Sequence, residues 1–199
     1  MPWRWESGFD KDIIHEAEEI RDLNLRAVYG NWAYLKNNFP DKYENYKLDW
    51  VAYVSGKRES RRLMGDVILS ELDILNKVEY DDAAVTLTWG IDVHFADTLN
   101  SKYFPGEEFI SWYTHPMHKP YHMPYRCLYS RNINNLFMAG RDISVTHIGL
   151  GSPRVMKTGG MMGEVVGMAA SICTEKQCTP REVYEKYLEE LKALMTQGV

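Results

Sequence analysis

Apolar residues recur at helical spacing through Ile13, Ile14, Ala17, Ile20, Leu23, Leu25, Ala27 and Val28 and on through Trp32, Ala33 and Leu35. They predict one long helix, capped by Asp10 and ended by Asn37, Asn38 and Pro40. Gly30 falls inside the run and reads as a bend or a relieved contact rather than a stop. Residues 38–47 form a polar connection, and residues 48–55, rich in Val, Tyr and Trp, predict a strand. The Leu, Ile and Val spacing over residues 63–75 does not separate helix from strand, whereas residues 84–95 alternate and predict a second strand. Residues 100–124 carry Gly106, Pro105, Pro116, Pro120 and Pro124 and predict a long irregular loop, of the kind that carries function or packs over something.

A new unit opens near Asn132. Residues 136–139 predict a buried strand, Gly140, Arg141 and Asp142 the turn leaving it, and residues 154–173 a long helix with Pro153 in its first turn. Thr179, Pro180 and Glu182 form the signature of a capping box for a last helix, with Val183, Tyr187, Leu188, Leu191 and Leu194 on its buried side. The element order predicts an α/β or α+β fold divided into residues 1–131 and 132–199.

Composition narrows the classes. With 199 residues and 45% apolar content, the chain is long enough for one substantial core or two small lobes. A net charge of −5 without a Lys/Arg stripe argues against nucleic acid as a partner. The apolar run over residues 165–173 is too short to span a bilayer, and the opening residues lack the pattern of a signal peptide. Cys127, Cys173 and Cys178 make an odd count without a C-x-x-C unit; Cys173 and Cys178 pair or are free thiols, and a reducing, cytoplasmic setting is expected.

The most informative stretch is residues 135–171, with glycines at 140, 149, 151, 159, 160, 163 and 167. Each glycine inside a helix costs about 1 kcal/mol relative to alanine, so four in one predicted helix imply that something approaches it closely. Gly163 and Gly167 share a face, which suits either helix–sheet packing or a flat ligand. Asp142, at the end of the preceding strand, can accept hydrogen bonds from ligand hydroxyls or cap a local turn. Amides at the helix start can face a ligand carbonyl or phosphate.

Arg58, Arg61 and Arg62 are suited to a carboxylate, a phosphate or an acidic polyol, and equally to a charged surface paired with Glu59, Asp66 and Glu71. The histidines His115, His118 and His122 in the proline-rich loop lack the H-E-x-x-H arrangement, so no metal is expected. The loop instead reads as a roof over a substrate cavity, with Tyr113, His115 or His122 touching substrate. His147 follows the turn after the last strand.

Residues 135–147, N-L-F-M-A-G-R-D-I-S-V-T-H, and residues 151–170, G-S-P-R-V-M-K-T-G-G-M-M-G-E-V-V-G-M-A-A, resemble the C-terminal signature of the bacterial FAD-dependent oxidoreductases of the glutathione-reductase-like class. Residues 56–66, G-K-R-E-S-R-R-L-M-G-D, and residues 89–94, W-G-I-D-V-H, resemble two further blocks of that family, and Arg21, Val28 to Trp32, Leu35 and Lys36 fit as well. Gly149 is a small departure, where the family often carries alanine.

The resemblance implies FAD as cofactor. It places Asp142 at the ribityl hydroxyls, Gly140 and Arg141 in the adjoining turn, and the backbone of Thr158, Gly159, Gly160, Met161 and Met162, with Gly163, beside the flavin ring. Arg58, Arg61, Arg62, Tyr113 and His122 are then expected at a small-molecule substrate, and His147 and His115 as proton acceptors.

The G-x-G-x-x-G strand-turn-helix that holds the FAD pyrophosphate is absent from these residues. The chain is therefore expected to be the C-terminal fragment of a two-domain FAD-binding fold, lacking the N-terminal dinucleotide-binding βαβ unit. On this reading residues 1–131 are a substrate or cap portion and residues 132–199 complete the FAD-binding domain. The parent transfers a hydride from an organic substrate to flavin. The chain alone is expected to bind FAD weakly or not at all, to be inactive, and to self-associate through the surface its missing half would cover. Two other readings are a non-catalytic lobe of a larger complex and a metal-dependent hydrolase built on the histidines.

Overall fold

The computed structural model describes residues 6–58, 60–94, 114–115 and 119–198. The chain divides into two compact units, Met1–Ser60 with His94–Tyr113, and Arg61–Val93 with Thr114–Val199. Residues 131 and 132, at the boundary expected from sequence, both lie in the second unit.

The first unit is built on α1, Ala17–Asn38. Its entry is set by Asp12 rather than Asp10: the Asp12 carboxylate accepts from the amides of Ile14 at 2.8 Å and His15 at 3.0 Å, while Glu16 accepts from the Asp12 amide. The predicted helix thus starts later, because a carboxylate-stabilised turn occupies its first residues. Glu18 and Glu19 lie in the first turn of α1, where the helix dipole favours anions. Pro40 does more than stop α1: it opens α2, Pro40–Tyr43, in the stretch expected to be an irregular polar connection. The Lys36 ammonium donates to the carbonyls of Tyr43, Glu44 and Tyr46 at 2.7–3.0 Å and holds the chain after α2. The strand expected over residues 48–55 does not form; this stretch is irregular, with Trp50, Tyr53 and Val54 exposed. Val, Tyr and Trp content favours a strand only where a partner strand and a core face are present, and neither is found there among the described residues.

The second unit mixes helices with small antiparallel ladders, in keeping with the α/β or α+β class. The ambiguous segment resolves into extended chain followed by α3, Glu71–Asn76, closed at its start by a Ser70–Asp73 capping box. The strand expected over residues 84–95 is two: β1, Ala83–Leu87, and β2, Ile91–Asp92, separated by an irregular Thr88, Trp89 and Gly90. β2 pairs with β3, Thr114–His115, and β1 with β4, Tyr121–Pro124. The end of the predicted loop is therefore strand. Val85 opposes Met123 and Leu87 opposes Tyr121, so these four side chains share the buried face, with Thr86 and His122 on the other.

Residues 136–139, expected as a strand, make only a bridge: Phe137 pairs with Tyr129, with the Met138 amide donating to Leu128 at 2.8 Å and the Ser130 amide donating to Leu136 at 2.9 Å. Two helices complete the unit, α4, Met156–Lys176, and α5, Pro180–Gln197. α4 begins after Pro153, which lies in the preceding turn, and buries Thr158, Met162, Val165, Ala169 and Ile172 along one face. α5 has the predicted Thr179–Glu182 capping box and buries Val183 and Leu191; Tyr187 kinks the helix with φ −128° and ψ 20°, and Tyr187 and Leu194 are only partly buried against the core. No helix among the described residues is long and apolar enough to cross a membrane.

Candidate functional site

The turn and the glycine helix singled out from sequence come together. Gly140 has φ +112°, a conformation that L side chains rarely adopt, and its amide donates to the sulfur of Met162 at 3.3 Å. Met162 and Thr158 are buried and offer neither side chain nor backbone outward. Arg141 and Asp142 are exposed, Met161 and Gly159 half-buried, and Gly160 and Gly163 exposed.

A Cβ placed on Gly159, Gly160, Gly163 or Gly167 meets no atom within 4 Å. Of the two roles open from sequence, helix–sheet packing is thereby removed for the described residues: the glycine face of α4 is bare. The start of α4 is also open, since Val155 supplies no side-chain cap and Met156 is 95% exposed.

The segment leading into α4 is fixed with little freedom. Ser152 Oγ donates to the Trp89 carbonyl at 2.7 Å, and Arg154 donates to the Asp92 carbonyl at 2.6 Å with its guanidinium 3.3 Å from the Asp92 carboxylate. A side chain at Gly151 would sit 2.8–2.9 Å from the backbone O and N of Asp92, so only glycine fits there. Residues 89–92 and 151–154, far apart in the sequence, are thus one junction; their meeting is the feature that sequence reasoning missed.

The basic cluster is divided. The Leu63 amide donates to the Asp142 carbonyl at 2.8 Å, which ties the chain just after Arg61 and Arg62 to the turn. Arg61 is exposed and Arg62 half-buried. Arg58 belongs to the first unit, 3.9 Å from Glu6. That unit also holds a histidine–carboxylate pair not singled out from sequence, His94 Nδ1 at 2.6 and 2.8 Å from the two oxygens of Glu6. The only advance signal was the W-G-I-D-V-H block; the Glu6 partner is far away in the chain.

His147 is exposed in the loop between Thr146 and Gly149, where Thr146 Oγ1 donates to Glu71 at 2.9 Å and accepts from the Gly149 amide at 3.0 Å. His122 stands on the outer face of β4 with its Nδ1 3.0 Å from Thr86 Oγ1, a cross-strand pair. The His115 backbone pairs with Ile91, while its side chain, Tyr113 and His118 lie outside the described residues. No group of three or more His, Cys, Asp or Glu side chains is gathered for a metal among the described residues.

The family model for FAD dependent oxidoreductases matches residues 4–195. The chain belongs to that family. No curated protein and no solved structure matches it. As a member of the FAD-dependent oxidoreductases, its parent protein uses FAD, and the residues present suit that cofactor on two structural grounds: a glycine face of α4 with open space above it, and a positive-φ turn, in contact with the buried face of α4 through Met162, that leads to an exposed carboxylate. A flat ring system needs the first and a polyol the second.

Proposed function

We propose that this chain is the flavin-facing, C-terminal part of an oxidoreductase of the glutathione-reductase-like class, whose dinucleotide-binding βαβ unit is supplied by a further segment. The observation that carries the reading is the Gly140–Met162 contact, which sets the G-R-D turn against a helix whose glycines face open space. Residues 132–199 then form the cofactor side and residues 1–131 contribute the substrate side.

When bound, FAD supplies two-electron acceptance, taking up a hydride from a small organic substrate. The chain's own residues bind and orient. Asp142 accepts hydrogen bonds from the ribityl hydroxyls, and Gly140 gives the backbone the reversal that presents that carboxylate. Within the stretch from Thr158 to Gly163, the exposed Gly160 and Gly163 would hold the ring, and a side chain on either would take up the open space it needs. The open amides at the start of α4 favour a carbonyl or partial negative charge. Arg61 and Arg62, tethered to the turn through Leu63, hold an anionic group of the substrate. His122 would complete the substrate contacts, and His147 or His115 would accept the proton that the substrate's hydroxyl or amine loses.

The test is Asp142→Ala in the complete protein. Asp142 is exposed, so the fold is expected to survive. Flavin affinity falls by the worth of a charged hydrogen bond, about 1.5–3 kcal/mol, read by flavin titration. Wild-type affinity would take Asp142 out of the site.

A further inference from the structure

The cofactor reading leaves the far end of α4 unused, and two of the three cysteines meet there. α4 ends at Lys176, and Gln177 takes up the left-handed conformation at φ 53° and ψ 46°. The Cys178 amide then donates to the Cys173 carbonyl at 3.1 Å. This six-residue return brings the side chains on either side of the reversal into contact. Here both are cysteines, and both are half-buried. Cys127 differs: it is fully buried, with its thiol directed at the Val67 carbonyl at 3.5 Å.

We propose that Cys173 and Cys178 form a thiol–disulfide exchange site, which a small-molecule disulfide closes into a cystine across the end of α4. The Cys178 thiolate attacks one sulfur of the small disulfide, forming a mixed disulfide and releasing one thiolate. The Cys173 sulfur then attacks Cys178 Sγ, passes its proton to the departing second thiolate, and completes the protein S–S bond. Two protein S–H bonds are lost and one S–S bond forms; the small disulfide takes up the two electrons and leaves as two thiols. Burial and the neighbouring Cys178 push the Cys173 thiol up to about 11.

The closed bond joins the last turn of α4 to the residue before Thr179, the N-cap of α5. The same junction is tied from below by the Tyr125 hydroxyl, which donates to the Pro180 carbonyl at 2.8 Å. Oxidation therefore stiffens the α4–α5 connection without reaching the glycine face at the other end of α4.

The experiment treats the reduced native protein with an aromatic disulfide, dithiobis(nitrobenzoate), and follows arylthiolate release, intact mass and a tryptic map. Lys176 lies between the two cysteines, so closure links two tryptic peptides that are otherwise separate. The expected result is release of about two arylthiolates per chain, no retained aryl group, a mass loss of about 2 Da and the linked peptides. Retained aryl adducts on Cys173 or Cys178 without the linked peptides would overturn the proposal, as would modification of Cys127 in the native protein. Cys173→Ser is expected to keep one stable aryl adduct on Cys178 and to release half as much arylthiolate. Should that variant fail to fold, the wild-type peptide map decides alone.

Discussion

The two units are held together in different ways. In the second, buried side chains from β1, β4, residues 125–129, α4 and α5 form one continuous core, including Leu87, Met123, Leu128, Met162, Ile172 and Leu191. In the first, the buried hydrophobic residues among those described are Ile20, Leu23 and Tyr43, and Tyr29, Tyr34, Tyr46, Trp50 and Tyr53 are exposed. Among its described residues the ties are mostly polar: Lys36 on three carbonyls, Ser7 at 2.9 Å from Asn24, and Lys57 on the Ile13 carbonyl at 3.3 Å. Apolar burial of about 25 cal/mol per Å² favours the second unit heavily, so the first is expected to open at lower free energy. The lesson is that a high aromatic content does not by itself make a core; the aromatics need a face to share.

The largest effect that would break this contrast lies at Arg126. Its guanidinium and amide bond the Asp82 carboxylate at 2.8–3.0 Å, Asp82 is 1% exposed, and the guanidinium stacks on Tyr184 at 4.4 Å. Arg126→Met leaves the buried carboxylate with a backbone amide but without its countercharge and is expected to destabilise the second unit by about 3–5 kcal/mol in denaturant unfolding. Leu128→Ala, in the same core, is expected to cost about 2–5 kcal/mol. Trp50→Ala, although it removes the largest side chain type, is expected to change stability by less than about 0.5 kcal/mol, because Trp50 is 79% exposed. Equal losses for Leu128→Ala and Trp50→Ala would contradict the comparison.

How much of this was legible in the sequence follows the same division. The α5 capping box and the core-facing Val183 and Leu191 were readable, since each depends on residues close in the chain or on a strong local rule. The 48–55 strand failed because Val, Tyr and Trp describe a side chain's preference and not the presence of a partner. The 84–95 strand broke at Gly90 because β2 turns to a different partner from β1. The Arg154–Asp92 junction and the His94–Glu6 pair were invisible for a simpler reason: nothing local to either residue names a partner 62 or 88 positions away.

A smaller effect sharpens the comparison at the start of α5. Lys186, then the Thr179 backbone and hydroxyl, hold the Glu182 carboxyl down to about 2 from 4.5. A carboxylate depressed on folding contributes stability that is fully present above its unfolded value and is lost as pH falls through its folded one. Stability from this box is therefore expected to disappear between about pH 4.5 and 2, and Glu182→Gln to flatten the acid limb of the unfolding profile in that window. Thr179→Ala is expected to cost about 1 kcal/mol at neutral pH, read from the denaturant midpoint.

The central claim, that the bare glycine face of α4 is where the flavin lies, is tested most directly by Gly163→Val in the complete protein, with melting temperature and flavin content measured on the same sample. A Cβ at Gly163 meets nothing within 4 Å, so the side chain has room in this chain and the only intrinsic penalty is valine's modest helix propensity, smaller than that of the glycine it replaces. The account predicts a variant that melts within a few degrees of wild type and is isolated colourless, without bound flavin. A variant that melts normally and retains stoichiometric flavin would contradict it.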